Sequence, residues 1–335
     1  MSPSTRLTLS LGLALIVGVS CRDDNSNVGP TDPGISEIEL ALAAGNTWAT
    51  KRSLSPSRWS AAAGAINGTV YVVGGWGRDA PLSRVDAYKI ATNTWSRVAS
   101  LPAARGGLDG ASVINGKLYV SGGTNRDGIK TKTLYVYDPA TNRWTRKADM
   151  PRASCGGDQG VIGGQLYVYT GCFARDNMGA VFFRYNPSTN TWLKRAAPPV
   201  DHSNGGGAAI GGKFYLNGGY TPMCGGSCSG NTHNLDIYNP ATNTWTVRQG
   251  TGLTSITSAT LNGKLYAIGG EGDTYHRTVQ AYDPGSNTWR ARASLPAGSA
   301  LGTAAVANGK LYYLEGRSMT IPSTTEPSRF YVYTP

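Results

Sequence analysis

The sequence DPATNRW, residues 138–144, decides the fold, because versions of it recur along most of the chain. A tryptophan ends each version, and successive tryptophans are 47, 49, 48, 53 and 44 residues apart, at Trp48, Trp95, Trp144, Trp192, Trp245 and Trp289. A period near 50 residues is typical of β-propeller blades, whereas helical solenoids repeat at about 33 to 47 residues. The spacing therefore predicts six blades.

Each repeat also contains a fixed order of strand and turn signals. An apolar strand follows a two-residue turn, such as Asn115-Gly116 or Gly163-Gly164, where positive φ angles are needed. A second turn opens with Asp-Pro or Asn-Pro, because proline presets the φ angle of the second turn position. We expect four antiparallel strands per repeat, with the strand of smallest residues innermost, around a central channel.

The two ends of the repeat region complete each other. The chain stops at Pro335, where other repeats continue towards a tryptophan, and the missing segment is found at residues 44–48. We therefore expect the N-terminal segment to supply the outer strand of the last blade and close the ring, which protects an open sheet edge.

The glycine pair after the second strand, the later tyrosine and the tryptophan resemble the kelch repeat across residues 44–335. The resemblance implies an all-β, six-bladed kelch-type β-propeller with four antiparallel strands per blade. Two repeats depart from the glycine pair, with Gly171-Cys172 in the third and Glu315-Gly316 in the sixth. We expect these departures to affect the local surface more than the architecture.

An export signal precedes the repeats. Arg6 is followed by an apolar run over residues 7–19, interrupted only by small polar residues and glycine. The run is too short to span a bilayer, which needs roughly 20 apolar residues. It is typical of the core of a signal peptide, which we place at residues 1–20.

The end of this signal resembles a bacterial lipobox, in which a cysteine after small residues is lipidated. Cys21 follows Ser20, although Gly18 stands where an aliphatic residue is usual. We expect lipidation of Cys21, a flexible linker over residues 22–43, and a periplasmic or cell-surface location on a bacterial membrane. Ordinary cleavage near Ser20 is the alternative.

Charge and composition narrow the class of partner. The 335 residues include 31 Lys and Arg against 20 Asp and Glu, a formal charge of +11, which favours anionic partners. No Lys/Arg-rich run of the kind that marks nucleic-acid binding is present. We expect a monomer that binds a glycan or an extracellular protein, and no nucleic acid.

Export places four cysteines in an oxidising compartment: Cys155, Cys172, Cys224 and Cys228. Three pairings are possible, and we favour Cys155 with Cys172 and Cys224 with Cys228. A metal site is the rival interpretation. Since only one close cysteine pair exists and the three histidines are scattered, we expect no metal and no cofactor.

By the kelch resemblance, ligands bind on the face made by loops that lead into the innermost strand and loops that leave the second strand. Arginines there suit carboxylate or phosphate groups, and aromatic rings suit stacking on sugars or peptides. The candidate ligand-binding residues are Arg58, Trp59, Trp76, Arg105, Arg126, Arg152, Arg175, His202, Tyr220 and Arg317. Asp109 and Asp158 fall in innermost strands, where we expect them to line the channel.

Two enzyme families share the kelch architecture. Galactose oxidase holds copper with tyrosine and histidine, and no histidine pair here has a spacing suited to one metal. Bacterial sialic-acid mutarotases are exported six-bladed kelch propellers, whose proposed acid–base chemistry uses a glutamate with an arginine nearby. Glu271 and Arg277 share one loop and resemble such a pair. A mutarotase-like sugar epimerase is therefore the alternative to a binding module, which we favour.

Overall fold

Each repeat folds into one four-stranded antiparallel sheet, and the six sheets confirm the predicted all-β, six-bladed propeller. The computed structural model describes residues 45–171, 181–222, 229–318 and 327–335. Within these ranges the chain forms 26 β-strands and no α-helix. The described residues accordingly contain no helix that is long and apolar enough to cross a membrane.

The first three blades use their strands in chain order from the centre outwards. Blade 1 consists of β2 (Ala62–Ile66), β3 (Thr69–Val73), β4 (Val85–Lys89) and β5 (Thr94–Val98). Blade 2 consists of β6 (Gly106–Ile114), β7 (Lys117–Thr124), β8 (Leu134–Asp138) and β9 (Arg143–Arg146). Blade 3 consists of β10 (Asp158–Ile162), β11 (Gln165–Thr170), β12 (Val181–Asn186) and β13 (Thr191–Arg195).

Blades 4 and 5 follow the same order, and blade 4 carries an additional hairpin of β16 (Tyr220–Pro222) and β17 (Ser229–Asn231). Blade 4 consists of β14 (Gly206–Ile210), β15 (Lys213–Asn217), β18 (Asn234–Asn239) and β19 (Thr244–Gln249). Blade 5 consists of β20 (Thr257–Leu261), β21 (Lys264–Ile268), β22 (Val279–Asp283) and β23 (Thr288–Ala291).

Blade 6 joins the two ends of the repeat region. From the centre outwards it consists of β24 (Thr303–Ala307), β25 (Lys310–Leu314), β26 (Ser328–Thr334) and β1 (Thr47–Leu54). β1 runs antiparallel to β26, with Trp48 opposite Tyr333. The innermost strand of blade 6 packs against that of blade 1. The expected closure of the ring by the N-terminal segment is confirmed.

The hydrophobic core lies between the blades rather than at the centre of the molecule. Six clusters of buried side chains each combine residues of two adjacent blades, one cluster for each seam. At the seam between blades 1 and 2, for example, Tyr71 and Val73 pack with Leu118 and Val120. Each blade therefore depends on both of its neighbours for burial of its two faces.

A clasp of three side chains joins each blade to the one before it. In blade 2, Asn142 Oδ1 accepts hydrogen bonds from the Tyr137 hydroxyl and from the Ala99 backbone N–H, both at 2.8 Å. Trp144 Nε1 donates to the carbonyl of the same Ala99 at 2.8 Å. Ala99, at the end of blade 1, is thus hydrogen-bonded to blade 2 through both its N–H and its carbonyl.

The tryptophan half of this clasp recurs at all six seams, with Nε1 to carbonyl distances of 2.7–2.9 Å. At the ring closure, Trp48 donates to the Ala293 carbonyl, and Asn46 Oδ1 accepts from the Tyr333 hydroxyl. All six clasp asparagines have φ between 53° and 59°, a left-handed conformation that asparagine tolerates. The repeated Asn-x-Trp sequence therefore encodes contacts between blades as well as a turn.

The glycine pairs also mediate contacts between blades. A Cβ at Gly74 would lie 2.7 Å from the Arg105 carbonyl oxygen of blade 2, which is too close for a side chain. The N–H of the next residue, Gly75, donates to that same carbonyl at 2.8 Å. Small residues are needed here because the end of one blade touches the backbone of the next.

Blade 6 has Glu315 at the position of the first glycine, and its side chain is fully buried. Burial raises the pKa of this carboxyl above its usual range, against the opposing attraction of Arg329, whose Nη1 is 3.8 Å from Oε1. The carboxyl at this departure therefore lies inside the propeller rather than on its surface, while the four-stranded blade is retained as expected.

Replacing Asn142 with glycine should weaken one clasp without straining the backbone, since glycine readily adopts positive φ. The Ala99 N–H and the Tyr137 hydroxyl would lose their shared acceptor. We expect the free energy of unfolding to fall by about 1–3 kcal/mol, measured by urea denaturation.

Asn115→Gly is the matched control, because Asn115 also has a positive φ of 49° but makes no clasp contact. It should change the unfolding free energy by less than about 0.5 kcal/mol. Equal losses in the two variants would contradict the role of the clasp.

Candidate ligand-binding site

A closed circle of backbone hydrogen bonds surrounds the central channel. It lies on the face made by the loops that lead into the innermost strands and those that leave the second strands, which we call the loop face. Each blade gives one N–H to the carbonyl of its counterpart in the preceding blade, at 2.7–3.3 Å. The six residues, which we call the peptide ring, are Ser60, Gly107, Gly156, Asn204, Ser255 and Leu301.

All six residues of the peptide ring have φ between 47° and 62°. This left-handed conformation turns the chain from the loop into the innermost strand, and it recurs although the six side chains differ in kind. The ring therefore depends on backbone geometry rather than on a side-chain motif.

The residues that follow the second strands stand around this ring. Backbone bridges pair Trp76 with Trp59, Tyr220 with Ser203, Glu271 with Thr254, and Arg317 with Ala300. In each case the partner immediately precedes a residue of the peptide ring. Trp76, Tyr220, Glu271 and Arg317 therefore occupy equivalent positions at the opening of the channel, and we call them the mouth residues.

Trp59 connects Arg317 of blade 6 to Trp76 of blade 1. The two indole rings are stacked, with centroids 5.8 Å apart and an interplanar angle of 21°. The guanidinium carbon of Arg317 lies 4.2 Å from the centroid of the Trp59 ring, in a cation–π contact. Trp59 thus packs against both residues, and the exposed Arg317 guanidinium is supported by its ring.

Glu271, in the adjacent blade 5, is the acidic mouth residue. Its Oε2 accepts a hydrogen bond from the Ser255 hydroxyl at 2.9 Å, so a residue of the peptide ring orients the carboxylate. Among the described residues, neither Glu271 nor Arg317 takes part in an ion pair. A guanidinium and a carboxylate on neighbouring blades are therefore both available to a ligand.

Arg277 forms no ion pair with Glu271 within the described residues, although the two share a loop. Its Nε donates to the Leu295 carbonyl at 2.7 Å, on the chain that leads from blade 5 to blade 6. The pair of Glu271 and Arg277 suggested by the sequence is therefore not assembled in the structure.

Arg58 lies inside blade 1 rather than on the loop face. Its side chain is 1% exposed and forms an ion pair with Asp86 of β4. It also donates to the carbonyl oxygens of Gly74 and Arg84, at 3.3 and 3.2 Å. Burial lowers the pKa of Arg58, and Asp86 opposes this effect. Its assignment as a ligand-binding residue is corrected to a structural one.

His202 is buried in the same way in blade 4. Nε2 is 3.0 Å from Asp236 Oδ2, and Nδ1 is 2.8 Å from the Gly218 carbonyl oxygen. Because a carbonyl can only accept, Nδ1 must carry a proton. Because His202 has no exposed surface, its assignment as a ligand-binding residue is also corrected to a structural one.

The remaining candidates are not mouth residues, or they lie outside the described residues. Arg126 is exposed on the loop after β7, Arg152 is half-buried, and Arg105 Nη1 donates to the Ala104 carbonyl at 2.7 Å. The candidates outside the described residues are Arg175, Cys21, Cys172, Cys224 and Cys228. Cys155 is disulfide-bonded, and since its partner lies outside the described residues, the predicted pairings stay predictions.

The channel beneath the peptide ring is narrow, with a cavity volume of about 150 Å³. Asp109 and Asp158 both belong to its lining, as expected, and no Lys, Arg or His does among the described residues. Within the described ranges, no group of three or more His, Cys, Asp or Glu side chains could hold a metal ion.

Burial dominates the ionisation of both channel carboxyls. Asp109 Oδ1 accepts hydrogen bonds from the Ser154 hydroxyl at 2.7 Å and the Gly157 N–H at 3.0 Å, yet burial still raises its pKa to about 7. Burial raises the pKa of Asp158 to about 6, and its Oδ2 has no hydrogen-bond partner in the described structure. Each proton therefore binds more tightly in the folded protein than in the unfolded chain.

Comparison with known families assigns the repeats. The family model of the KLHDC2/KLHL20/DRC7 kelch-repeats domain matches residues 110–316, and that of the kelch motif matches residues 58–102. The chain belongs to the kelch-repeat family. The kelch assignment agrees with the glycine pairs and the Tyr-Asn-Trp clasps described above.

Individual kelch relatives add information on the fold. The F-box/kelch-repeat protein At1g67480 of Arabidopsis thaliana is 36% identical over 97 residues, which make up 29% of this chain and 24% of that protein. The matched part thus spans about a quarter of that relative's length. The solved structure of YjhT matches with a TM-score of 0.68 and 17% identity, over 84% of this chain and 95% of that chain. At this identity the likeness shows the fold.

Replacing Asp109 with asparagine should alter the pH dependence of stability. The raised pKa means that Asp109 stabilises the fold below about pH 4 and that this contribution is lost as the pH rises towards 7. Asparagine keeps the acceptor oxygen but cannot ionise. We expect Asp109→Asn to exceed the wild type by about 1–3 kcal/mol in unfolding free energy at pH 8, and to lose this advantage near pH 4.

Asp138→Asn serves as the control, because Lys117 lowers the pKa of Asp138 and the carboxyl is partly exposed. It should give no gain at pH 8. Denaturant unfolding at both pH values checks the two variants, and a pH-independent effect of Asp109→Asn would exclude the assigned ionisation.

Proposed function

We propose that this kelch propeller is the binding domain of an exported lipoprotein and that it recognises an acidic saccharide at the mouth of its channel. The observation that supports this proposal is the state of Arg317. Its guanidinium is exposed, rests on Trp59, and has no ion-pair partner among the described residues.

The mouth residues offer the chemistry that such a ligand needs. A guanidinium binds a carboxylate through two parallel hydrogen bonds, and its prior positioning by Trp59 lowers the entropy cost of binding. Glu271, which lies on the neighbouring blade, can accept hydrogen bonds from the hydroxyls of the sugar. The cavity of about 150 Å³ is small against the roughly 300–1,000 Å³ of ordinary ligand pockets, so a terminal sugar would rest on the mouth.

A polar ligand also fits the loop face better than a typical protein partner does. The large hydrophobic side chains exposed in the described structure are Ile129, Leu193 and Val247, and the last two lie in outer strands. Protein interfaces usually centre on an apolar, aromatic-rich core. Among the described residues of the loop face, Ile129 is the one exposed large aliphatic side chain, and the aromatic residues Trp59, Trp76 and Tyr220 are half-buried, which favours a glycan over a protein ligand.

The enzymatic alternative required Glu271 and Arg277 to act as a pair. In the structure, Glu271 is bound by Ser255, and Arg277 is bound by the Leu295 carbonyl. We therefore keep binding as the proposed function and do not propose an epimerase.

The Arg317→Gln variant tests the site. Glycan-array screening of the wild type would first identify an acidic glycan, and calorimetry would then measure its affinity. We expect at least a tenfold loss on Arg317→Gln, since one charge-assisted bidentate contact is worth about 1.5–3 kcal/mol. Arg126→Gln removes an exposed arginine of the same face and should leave the affinity unchanged. Unaltered binding by Arg317→Gln would place the site elsewhere.

The lipoprotein part of the proposal rests on residues 1–21, outside the described structure. Expressed in a bacterium with its own signal, the wild-type chain should partition with membranes and carry a lipid mass on Cys21. Cys21→Ser should move it into the soluble fraction, because one cysteine supplies the anchor. A wild-type protein without lipid would refute the anchor.

A further inference from the structure

The outermost strands of the six blades carry only positive charges. β1, β5, β9, β13, β19 and β23 contain nine Lys and Arg and no Asp or Glu, and every one of these strands contributes. We call this circumference the basic belt. Its charged residues are Lys51, Arg52, Arg97, Arg143, Arg146, Lys194, Arg195, Arg248 and Arg290.

Few of these charges are compensated. Among the nine, Arg146 alone forms an ion pair within the described structure, with Asp149 at 2.7 Å. Arg97, Lys194, Arg248 and Arg290 are exposed.

Apart from Asp149, the described carboxylates lie elsewhere in the propeller. Asp138 and Asp283 form ion pairs with Lys117 and Lys264 at the turns opposite the loop face. Asp86, Asp109, Asp158, Asp236 and Glu315 are enclosed by the blades or line the channel. Apart from Asp149, the acidic groups therefore lie inside the propeller and at its ends, whereas the charged residues of the outer strands are all basic.

The belt also continues across a seam between blades. Arg195 of blade 3 donates from Nε to the Tyr238 hydroxyl at 2.8 Å and from Nη2 to the Pro240 carbonyl at 3.3 Å. Both acceptors belong to blade 4. The guanidinium thus bridges the groove between two blades and keeps the positive surface unbroken there.

We propose that the basic belt binds an acidic polysaccharide that follows the circumference of the propeller. A convex rim that is positive in every blade can be followed by a flexible linear polyanion, whose regularly spaced charges would each meet a Lys or Arg. A flat membrane could touch only one sector of this rim at a time, and the other sectors would stay unused. The belt lies apart from the mouth residues and does not depend on the proposed mouth site.

Nucleic acids suit the belt less well. A duplex has a persistence length of about 50 nm and is too stiff to follow the rim of a small domain. Single strands gain affinity by stacking bases on open aromatic rings. The tryptophans of the outer strands are half-buried and pack against tyrosines such as Tyr137 and Tyr238. Their Nε1–H groups donate to the clasp carbonyls, so these rings are not open for base stacking.

The test compares two variants of the full chain with the same net charge. The belt variant combines Arg97→Gln, Lys194→Gln, Arg248→Gln and Arg290→Gln. The control variant combines Arg78→Gln, Arg126→Gln, Lys213→Gln and Lys310→Gln, which are exposed residues of the loop face and the opposite turns. Heparin and polygalacturonate are the probes, one sulfated and one carboxylated, and thermal unfolding monitored by circular dichroism verifies that both variants fold.

We expect the wild type to bind at least one probe, with an affinity that falls steeply as salt rises, because polyanion binding releases counterions. The belt variant should bind at least tenfold more weakly at 150 mM salt and show a shallower salt dependence, whereas the control variant should stay within about threefold of the wild type.

Three results would overturn the proposal. They are equal losses in the two variants, no binding of either probe by the wild type, and tighter binding to single-stranded DNA or to anionic vesicles than to both polysaccharides. The belt variant should keep its affinity for the acidic glycan selected on the array within about threefold of the wild type, whereas Arg317→Gln should lose it, so failure at the mouth and failure at the belt remain distinguishable.

Discussion

The propeller depends on two hydrogen-bonded circles that are complete only when all six blades are in place. The peptide ring joins the loops at the channel, and the tryptophan bonds of the clasps join the outer strands. Between these circles lies one apolar cluster per seam, so a missing blade would expose two apolar faces at once. Pairing of β1 with β26 is therefore as important to the fold as any bond inside a blade.

The clasps leave a clear signal in the sequence because each needs particular side chains, although the contacts between blades appear only in the structure. An acceptor in the left-handed conformation requires asparagine, and the bond across the seam requires tryptophan, so both recur at a fixed spacing. The peptide ring leaves no such signal. Ser60, Gly107 and Leu301 adopt the same φ with different side chains, because the ring uses only backbone groups. The four mouth residues are all among the candidates named from the sequence, but within a longer set of loop residues, and their common position becomes clear only from the structure.

The two incorrect site assignments have one cause. Arg58 and Arg105 occupy the same position in their loops, yet Arg58 turns inwards because β4 supplies Asp86, whereas β8 has Tyr135 at the matching position. His202 turns inwards for the same reason, since β18 supplies Asp236. An aspartate in the third strand, opposite apolar neighbours, was the available signal. A buried carboxylate of this kind requires a hydrogen-bonding or charged partner. The loop residue that pairs with it is buried too and is no longer available on the surface.

The distribution of charge follows from the fold only in part. Seam positions must be apolar or aromatic because two blades cover them, and the clasp fixes one tryptophan in each outer strand. The other side chains of the outer strands are free to vary, and exposed positions such as Thr50 and Ser96 could hold a carboxylate without touching a core cluster. Folding alone therefore does not require six outer strands without a single acidic residue. Like charges repel across such a surface, and this repulsion lowers the stability of the folded protein. A bound partner of opposite charge removes the repulsion.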